Sequence, residues 1–232
     1  QNGISVNIEA HETKTISFQV QVNDGENASI ISNTAEVNNI DTNSVTHRYV
    51  EPIITATKDV TTQNKLNYVV EGETITYTVT VRNTGFAEGP VTIIDTIPEG
   101  TTFAEGSVKI NGITNDTYTE ENLRNGIRVT VPAGEETDSG VNPGTTTLSF
   151  EVTVNNLAQG VFDRNITNTA RVNNVNTNQV VSTVNKSNVI PSKTSDLASG
   201  TDVKQGDVIT YYITLDNSLG TAPDTVLVKD SI

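Results

Sequence analysis

The sequence predicts an all-β fold of tandem β-sandwich repeats, and three observations predict it. Apolar and polar residues alternate with period two in one stretch after another, the mark of half-buried strands. Turn signals built on Gly, Pro and Asn separate those stretches, and no segment of helical length shows a 3.6 period. The chain also repeats itself at a spacing of 134 to 135 residues, long enough for each repeat to bury a core of its own.

The elements follow in order along the 232 residues. NGISVNI, from Asn2, leads into KTISFQVQVN, which alternates with Ile16, Phe18, Val20 and Val22 on one face, and then into SNTAEV around Asn33. A second repeat opens on ITATKDV. GETITYTVTVRN, from Gly72, sets Ile75, Tyr77, Val79 and Val81 against Thr74, Thr76, Thr78 and Thr80. Asn83-Thr-Gly85 and Pro98-Glu-Gly100 are turns in which Gly is expected to supply a positive φ. TEENLRNG, near Thr119, reads as one short helical turn. NGIRVTV from Asn125, TTLSFEVTVN with Leu148, Phe150, Val152 and Val154, and ITNTARV from Ile166 complete the repeat. A third begins again: GDVITYYITLDNSLG, from Gly206, restates GETITYTVTVRNTG, and VLVKDSI ends at Ile232 as VTIIDTI ends at Ile97. Residues 1–50 are therefore the C-terminal part of one repeat, 51–187 a complete sandwich, and 188–232 the N-terminal part of the next. Such a chain reads as an excerpt from a longer head-to-tail array. The strand edges left open in its outer pieces invite lateral or end-to-end self-association.

Composition narrows the function. The formal charge is −14, with 28 acidic and 14 basic residues. That opposes nucleic acid, whose binders cluster Lys and Arg, and anionic membrane surfaces. No apolar run approaches the roughly 18 residues of a spanning helix, and no signal peptide opens at Gln1. There is no Cys, so neither a disulfide nor a thiolate metal site exists. The two histidines, His11 and His47, have no His counterpart in the complete repeat, which excludes a periodic His-based metal or catalytic site. No GxGxxG phosphate loop is present, and no Ser/His/Asp set has support. The chain is read as a non-enzyme. Acids and Asn gather near the repeat junctions, at Asp41, Glu51 and Asp59. Oxygen ligands of that kind suit calcium, and simple solvation of a charged face is the other reading.

The run GETITYTVTVRNTGFAEGPVTIIDTIPEGTTF followed by ITNTARV resembles the bacterial surface repeat called domain of unknown function eleven. That repeat sits among the collagen-adhesin-like, immunoglobulin-like sandwiches of Gram-positive cell-surface proteins. The resemblance covers nearly the whole chain and rests on Gly-Glu-x-Ile-x-Tyr, Asp-Thr-Ile-Pro and Asn-Thr-Ala in that order. It implies an extracellular location on a bacterial surface. It also implies an intramolecular isopeptide bond between a Lys and an Asn, assisted by a buried acid, with no cofactor required.

Carried onto this sequence, the lysine is Lys58 on the first strand, the acid Asp95 in TIIDTIP, and the asparagine Asn168 on the last strand. Each recurs 135 positions away, as Lys193, Asp230 and Asn33. Lys65 is a poorer lysine, because its counterpart is Gly200. The chemistry requires a dry site. Burial disfavours the charged forms, leaving Lys58 a neutral nucleophile and Asp95 a protonated donor to the Asn168 amide. The plainer alternatives stay open at this point: a solvated Lys58 beside Asp59, a turn acid at Asp95, and an Asn168 that caps its own backbone. Two function classes compete. One is a structural stalk or fibre of locked sandwiches. The other is an adhesin module binding a host or matrix ligand through loop aromatics, for which Phe86, Tyr118 and Phe162 are the candidates.

Overall fold

A computed structural model describes residues 3–63 and 67–231; Asn2, Lys65 and Ile232 lie outside the described residues. The chain divides into two compact units, Gln1–Tyr49 and Val50–Ile232.

The complete repeat is a sandwich of antiparallel sheets. One sheet runs in the order Ile113–Thr114, Lys109–Ile110, Gly144–Val154, Thr74–Asn83, Ile54–Thr62, with Thr101–Phe103 also paired to Gly144–Val154. The facing sheet runs Ile127–Val131, Gly89–Ile94, Arg171–Val172, Val175–Asn176, and Asp163–Asn168 pairs with Val180–Asn185. The period-two pattern sets the register. Leu148 lies opposite Val79 and Phe150 opposite Tyr77, so all four point inward. Ile75, Tyr77, Val79 and Val81 are buried, in one core with Ile93, Ile127, Leu123 and Val172. Each such side chain contributes about 1.5–3 kcal/mol of hydrophobic stabilisation. The helical turn is Glu120–Asn125, with Thr119 as N-cap in a reciprocal box with Asn122 and Leu123 buried beneath it.

Two local expectations are corrected. Gly100 does take a positive φ of 83°. Gly85 does not: it is required because a Cβ there would stand 2.1 Å from the Glu51 carbonyl oxygen. In the outer pieces, NGISVNI, KTISFQVQVN and VLVKDSI form no strands over their described residues, although their alternation predicts them. A strand is defined by its neighbour. Their counterparts pair with Gly89–Ile94, Thr74–Asn83 and Ile127–Val131 respectively, and the described residues of each outer piece do not include the neighbour its own stretch needs. What remains folded in the first unit is the ladder of Ile30–Asn33 on Val45–Arg48 and the tip Glu36–Val37 on Ile40–Asp41.

In the last piece, Ile190–Ser195 pairs with Tyr211–Asp216. This piece stays joined to the complete repeat through Thr221. Lys186 N–H donates to Thr221 Oγ1 at 3.0 Å and Asn185 Nδ2 to the Thr221 carbonyl at 3.1 Å.

The hairpin after Asn168 explains much of the repeated motif. Ala170 N–H donates to Thr177 Oγ1 at 3.1 Å, and Ala35 N–H donates to Thr42 Oγ1 at the same distance. Asn173 and Asn38, 135 positions apart, turn the chain with φ of 52° and 51°, a conformation Asn tolerates.

Candidate functional site

The site begins with three strand positions. Lys58 is the central inward residue of Ile54–Thr62, opposite Val79. Asp95 follows directly on Gly89–Ile94, and its N–H is held by the Leu123 carbonyl at 2.9 Å. Asn168 ends Asp163–Asn168, opposite Val180. Their relative exposures are 1%, 1% and 5%, so the solvated reading of Lys58 is excluded.

Lys58 Nζ donates a hydrogen bond to Asp95 Oδ2. Two rings wall the amine from water: its Nζ lies 4.9 Å from the Tyr77 ring centroid and 5.4 Å from that of Phe150. Burial lowers the Lys58 pKa from its ordinary value, against the pull of Asp95. Burial raises that of Asp95, opposed by Lys58 and then by Asn168. Both shifts favour the neutral pair, an amine beside a carboxylic acid. The Tyr77 hydroxyl is pushed up as well, by burial first and by Asp95 second.

The Asn168 amide stands close enough to Asp95 to favour its charged form, yet no well-formed hydrogen bond joins them. Asn168 Nδ2 and Asp95 Oδ1 are both buried without a partner. Buried polar groups are ordinarily paired, and this chain shows the ordinary case in Asn83. The Asn83 Oδ1 accepts from Ile53 and Gly85 N–H at 2.9 and 3.0 Å, and its Nδ2 donates to the Ala87 and Pro132 carbonyls. Asn168 does no such work.

Two residues of the site escaped sequence reasoning. Asn178 grips the Lys58 backbone as a ladder rung would: its Oδ1 accepts from Lys58 N–H at 2.9 Å and its Nδ2 donates to Lys58 O at 2.8 Å. The available signal was Asn43, 135 positions earlier. Asn83 has a counterpart too, since Asn217 accepts from Asn188 N–H at 2.8 Å.

The flanking candidates behave differently. Lys193 donates to both Asp230 oxygens, at 2.7 and 2.9 Å, and stands 4.6 Å from the Tyr211 ring centroid, but the pair is exposed. Asn33 is exposed and lies opposite Val45, the same register as Asn168 on Val180. Asp41 sits in the Ile40–Asp41 tip of the first unit, while Asp59 pairs with Thr78 in the second, where Glu51 precedes the first strand. Among the described residues, no three His, Cys, Asp or Glu gather as a metal site. No described helix is long and apolar enough to cross a membrane.

No protein-family model and no curated protein matches the chain. Solved structures similar to it include the pilus backbone RrgB of Streptococcus pneumoniae, at 15% identity and a TM-score of 0.32, covering 51% of this chain and 52% of that one. The major pilin subunit BcpA of Bacillus cereus is 11% identical at a TM-score of 0.34, over 79% of this chain and 63% of that one. A point variant of BcpA is 12% identical at 0.36, over 88% and 73%. The chain thus spans about half the length of the first and under two thirds of the second. At such values these likenesses decide neither function nor assembly here, and the sandwich rests on the strand pairing described above.

Proposed function

We propose that this chain is part of a structural stalk or fibre on a bacterial surface, and that each sandwich is locked by an autocatalytic isopeptide bond from Lys58 to Asn168. The observation that carries the lock is a buried Lys58–Asp95 pair beside an asparagine whose amide nitrogen has no partner. The surface location rests on the motif resemblance and on an acidic, Cys-free composition.

The chemistry needs only these side chains. The neutral Lys58 Nζ attacks Asn168 Cγ while protonated Asp95 hydrogen-bonds the amide oxygen and polarises the carbon. The Nζ–Cγ bond forms and the Cγ–Nδ2 bond breaks. The proton shed by Nζ passes through Asp95 to the departing nitrogen, which leaves as ammonia, and Asp95 ends as it began. The reaction occurs once per sandwich, and the folded core supplies the proximity. Asn178 is the positioning residue that fixes the Lys58 backbone.

Intact-mass measurement tests the lock. The complete repeat is expected to weigh one ammonia less than its sequence. Lys58→Ala and Asn168→Ala are each expected to restore the full mass. Separate unmodified peptides carrying Lys58 and Asn168 from the wild-type chain would refute the bond. Nothing specific favours the adhesin reading: Tyr118 packs against the core, and Phe86 and Phe162 are half-buried.

A further inference from the structure

Tyr77 is a buried, titratable group that the proposed reaction leaves unused. Its relative exposure is 1%, and its hydroxyl has no hydrogen-bond partner. Packing does not ask for a hydroxyl there. Phe150 lies 5.6 Å from the Tyr77 ring and Phe103 lies 6.4 Å from Phe150, centroid to centroid, and both fill the same core with apolar rings. Two other buried hydroxyls of this repeat are paired: Thr146 Oγ1 donates to the Thr130 carbonyl at 3.0 Å, and Thr177 Oγ1 to the Ala170 carbonyl at 3.2 Å. A buried hydroxyl without a partner is costly, and phenylalanine would avoid the cost. The next repeat nonetheless writes tyrosine at the same position: Gly72-Glu-Thr-Ile-Thr-Tyr77 returns as Gly206-Asp-Val-Ile-Thr-Tyr211. The placement returns with it. Lys193 Nζ bonds Asp230 and stands 4.6 Å from the Tyr211 ring centroid, as Lys58 Nζ bonds Asp95 and stands 4.9 Å from that of Tyr77.

The orphaned atoms around Lys58 are complementary. The Tyr77 hydroxyl is a donor, and burial together with the Asp95 charge keeps it protonated. Asp95 Oδ1 is an acceptor without a donor, while Lys58 Nζ occupies Oδ2. We propose that Tyr77 is a positioning residue of the isopeptide reaction, its hydroxyl donating to Asp95 Oδ1 while that carboxyl is transiently ionised. The role rests on the lock proposed above. In that reaction the Lys58 Nζ–Asn168 Cγ bond forms and the Cγ–Nδ2 bond breaks. Asp95 gives its proton to the departing nitrogen, which leaves as ammonia, and recovers a proton from Nζ. Between the two transfers Asp95 is a carboxylate in a dry core, beside an Nζ that carries the positive charge. Lys58 holds Oδ2, so the charge on Oδ1 needs a donor of its own. Apart from the departing amide nitrogen, the Tyr77 hydroxyl is the unspent donor of the site. A hydrogen bond made only while that charge exists lowers the barrier without stabilising the resting pair. Catalytic hydrogen bonds are often open before reaction and close during it, which accounts for two complementary groups left unpaired at rest.

Tyr77→Phe tests the role, because it keeps the ring that walls the amine and removes only the hydroxyl. The full chain is recovered unfolded from inclusion bodies and folded by dilution, and intact mass is followed over time as one ammonia is lost. Tyr77→Phe is expected to form the bond about tenfold to a hundredfold more slowly than wild type, the usual effect of losing one hydrogen bond to a charged group. A second measurement separates this role from a structural one. In the unbonded Asn168→Ala background, adding Tyr77→Phe is expected to lower the melting temperature by no more than about 2 °C, since the resting hydroxyl has no hydrogen bond to lose. Rate lost with stability kept is the signature of the role. Bond formation by Tyr77→Phe at the wild-type rate overturns it and leaves the lock standing. A larger fall in melting, or a Tyr77→Phe chain that does not fold, shows a hydroxyl already engaged in the resting core and overturns it as well. A wild-type chain that keeps its full mass sinks the lock, and this role with it.

Discussion

Replacing Asn168 by Ala isolates the covalent bond better than any other change at the site. Lys58→Ala leaves Asp95 buried and alone, and Asp95→Ala strands Lys58, so both add the cost of an unpaired polar group. Asn168→Ala leaves the Lys58–Asp95 pair intact, and its lost Nδ2 has no hydrogen bond to forfeit. The bond joins positions 58 and 168, closing a loop of 110 residues. Treated as a disulfide of that span, it restricts the unfolded chain by about 5 kcal/mol. For a repeat of this size that corresponds to a fall in melting temperature on the order of 15 °C. Calorimetry of the full chain measures it, with intact mass confirming the bonded state of each sample. If wild type carries the bond and the variant melts within about 2 °C of it, loop restriction is not what the bond contributes. If wild type carries no bond, the chemistry fails outright.

The remaining expectations follow from the same geometry. Asp95→Ala is expected to leave most of the protein at full mass, since nothing then polarises the amide; bond formation at the wild-type rate would remove Asp95 from the mechanism. The pH profile separates the bonded from the unbonded repeat. In Asn168→Ala both groups still titrate and their shifts oppose each other: the raised Asp95 pKa makes stability fall as pH rises above 3.8, while the lowered Lys58 pKa makes it rise on the approach to 10.5. In the bonded repeat Lys58 no longer titrates and the Asp95 pKa stays raised by burial. Its stabilising effect is full below pH 3.8 and is lost as pH rises through its folded value. Urea midpoints that run parallel in the two proteins would contradict this. Asn178→Ala breaks both rungs to the Lys58 backbone and is expected to cost about 1–3 kcal/mol in an unbonded background. It is also expected to slow bond formation, which a time course of mass after refolding would reveal. Melting of the full chain with saturating calcium and with chelator tests the junction acids Asp41, Glu51 and Asp59: a calcium-dependent rise supports an ion there, and unchanged melting leaves solvation as their role.

The fold was legible wherever a stretch carried its own periodicity and found its neighbour in the same piece. Tyr77 and Phe150 face each other as the alternation requires. Phe18 obeys the same alternation and forms no strand, because period two says which face is apolar and nothing about who stands beside it. The resemblance singled out Lys58, Asp95 and Asn168, their counterparts share one spacing, and the structure buries all three. Asn178 and Asn83 act by hydrogen-bonding backbone at sequence separations of 120 and 30, and one sequence does not show which distant N–H an amide will meet. Gly85 was assigned the wrong reason, because a turn glycine and a glycine pressed against a carbonyl look alike in sequence.

The recurrence of asparagine in these strands therefore has two physical causes, and hydrogen-bond satisfaction distinguishes them. At Asn83 both amide atoms are spent on backbone, which is sufficient reason for a polar residue in a core. At Asn168 the nitrogen has no hydrogen-bond partner, and the amide lies near Asp95, an acid that burial drives toward neutrality. A buried amide nitrogen without a partner costs about 1–3 kcal/mol if it remains there. The cost vanishes if the nitrogen departs as ammonia. Packing alone offers no reason to carry that cost at Asn168, beside the buried pair of Lys58 and Asp95. The proposed lock gives Asn168 a task that backbone capping does not.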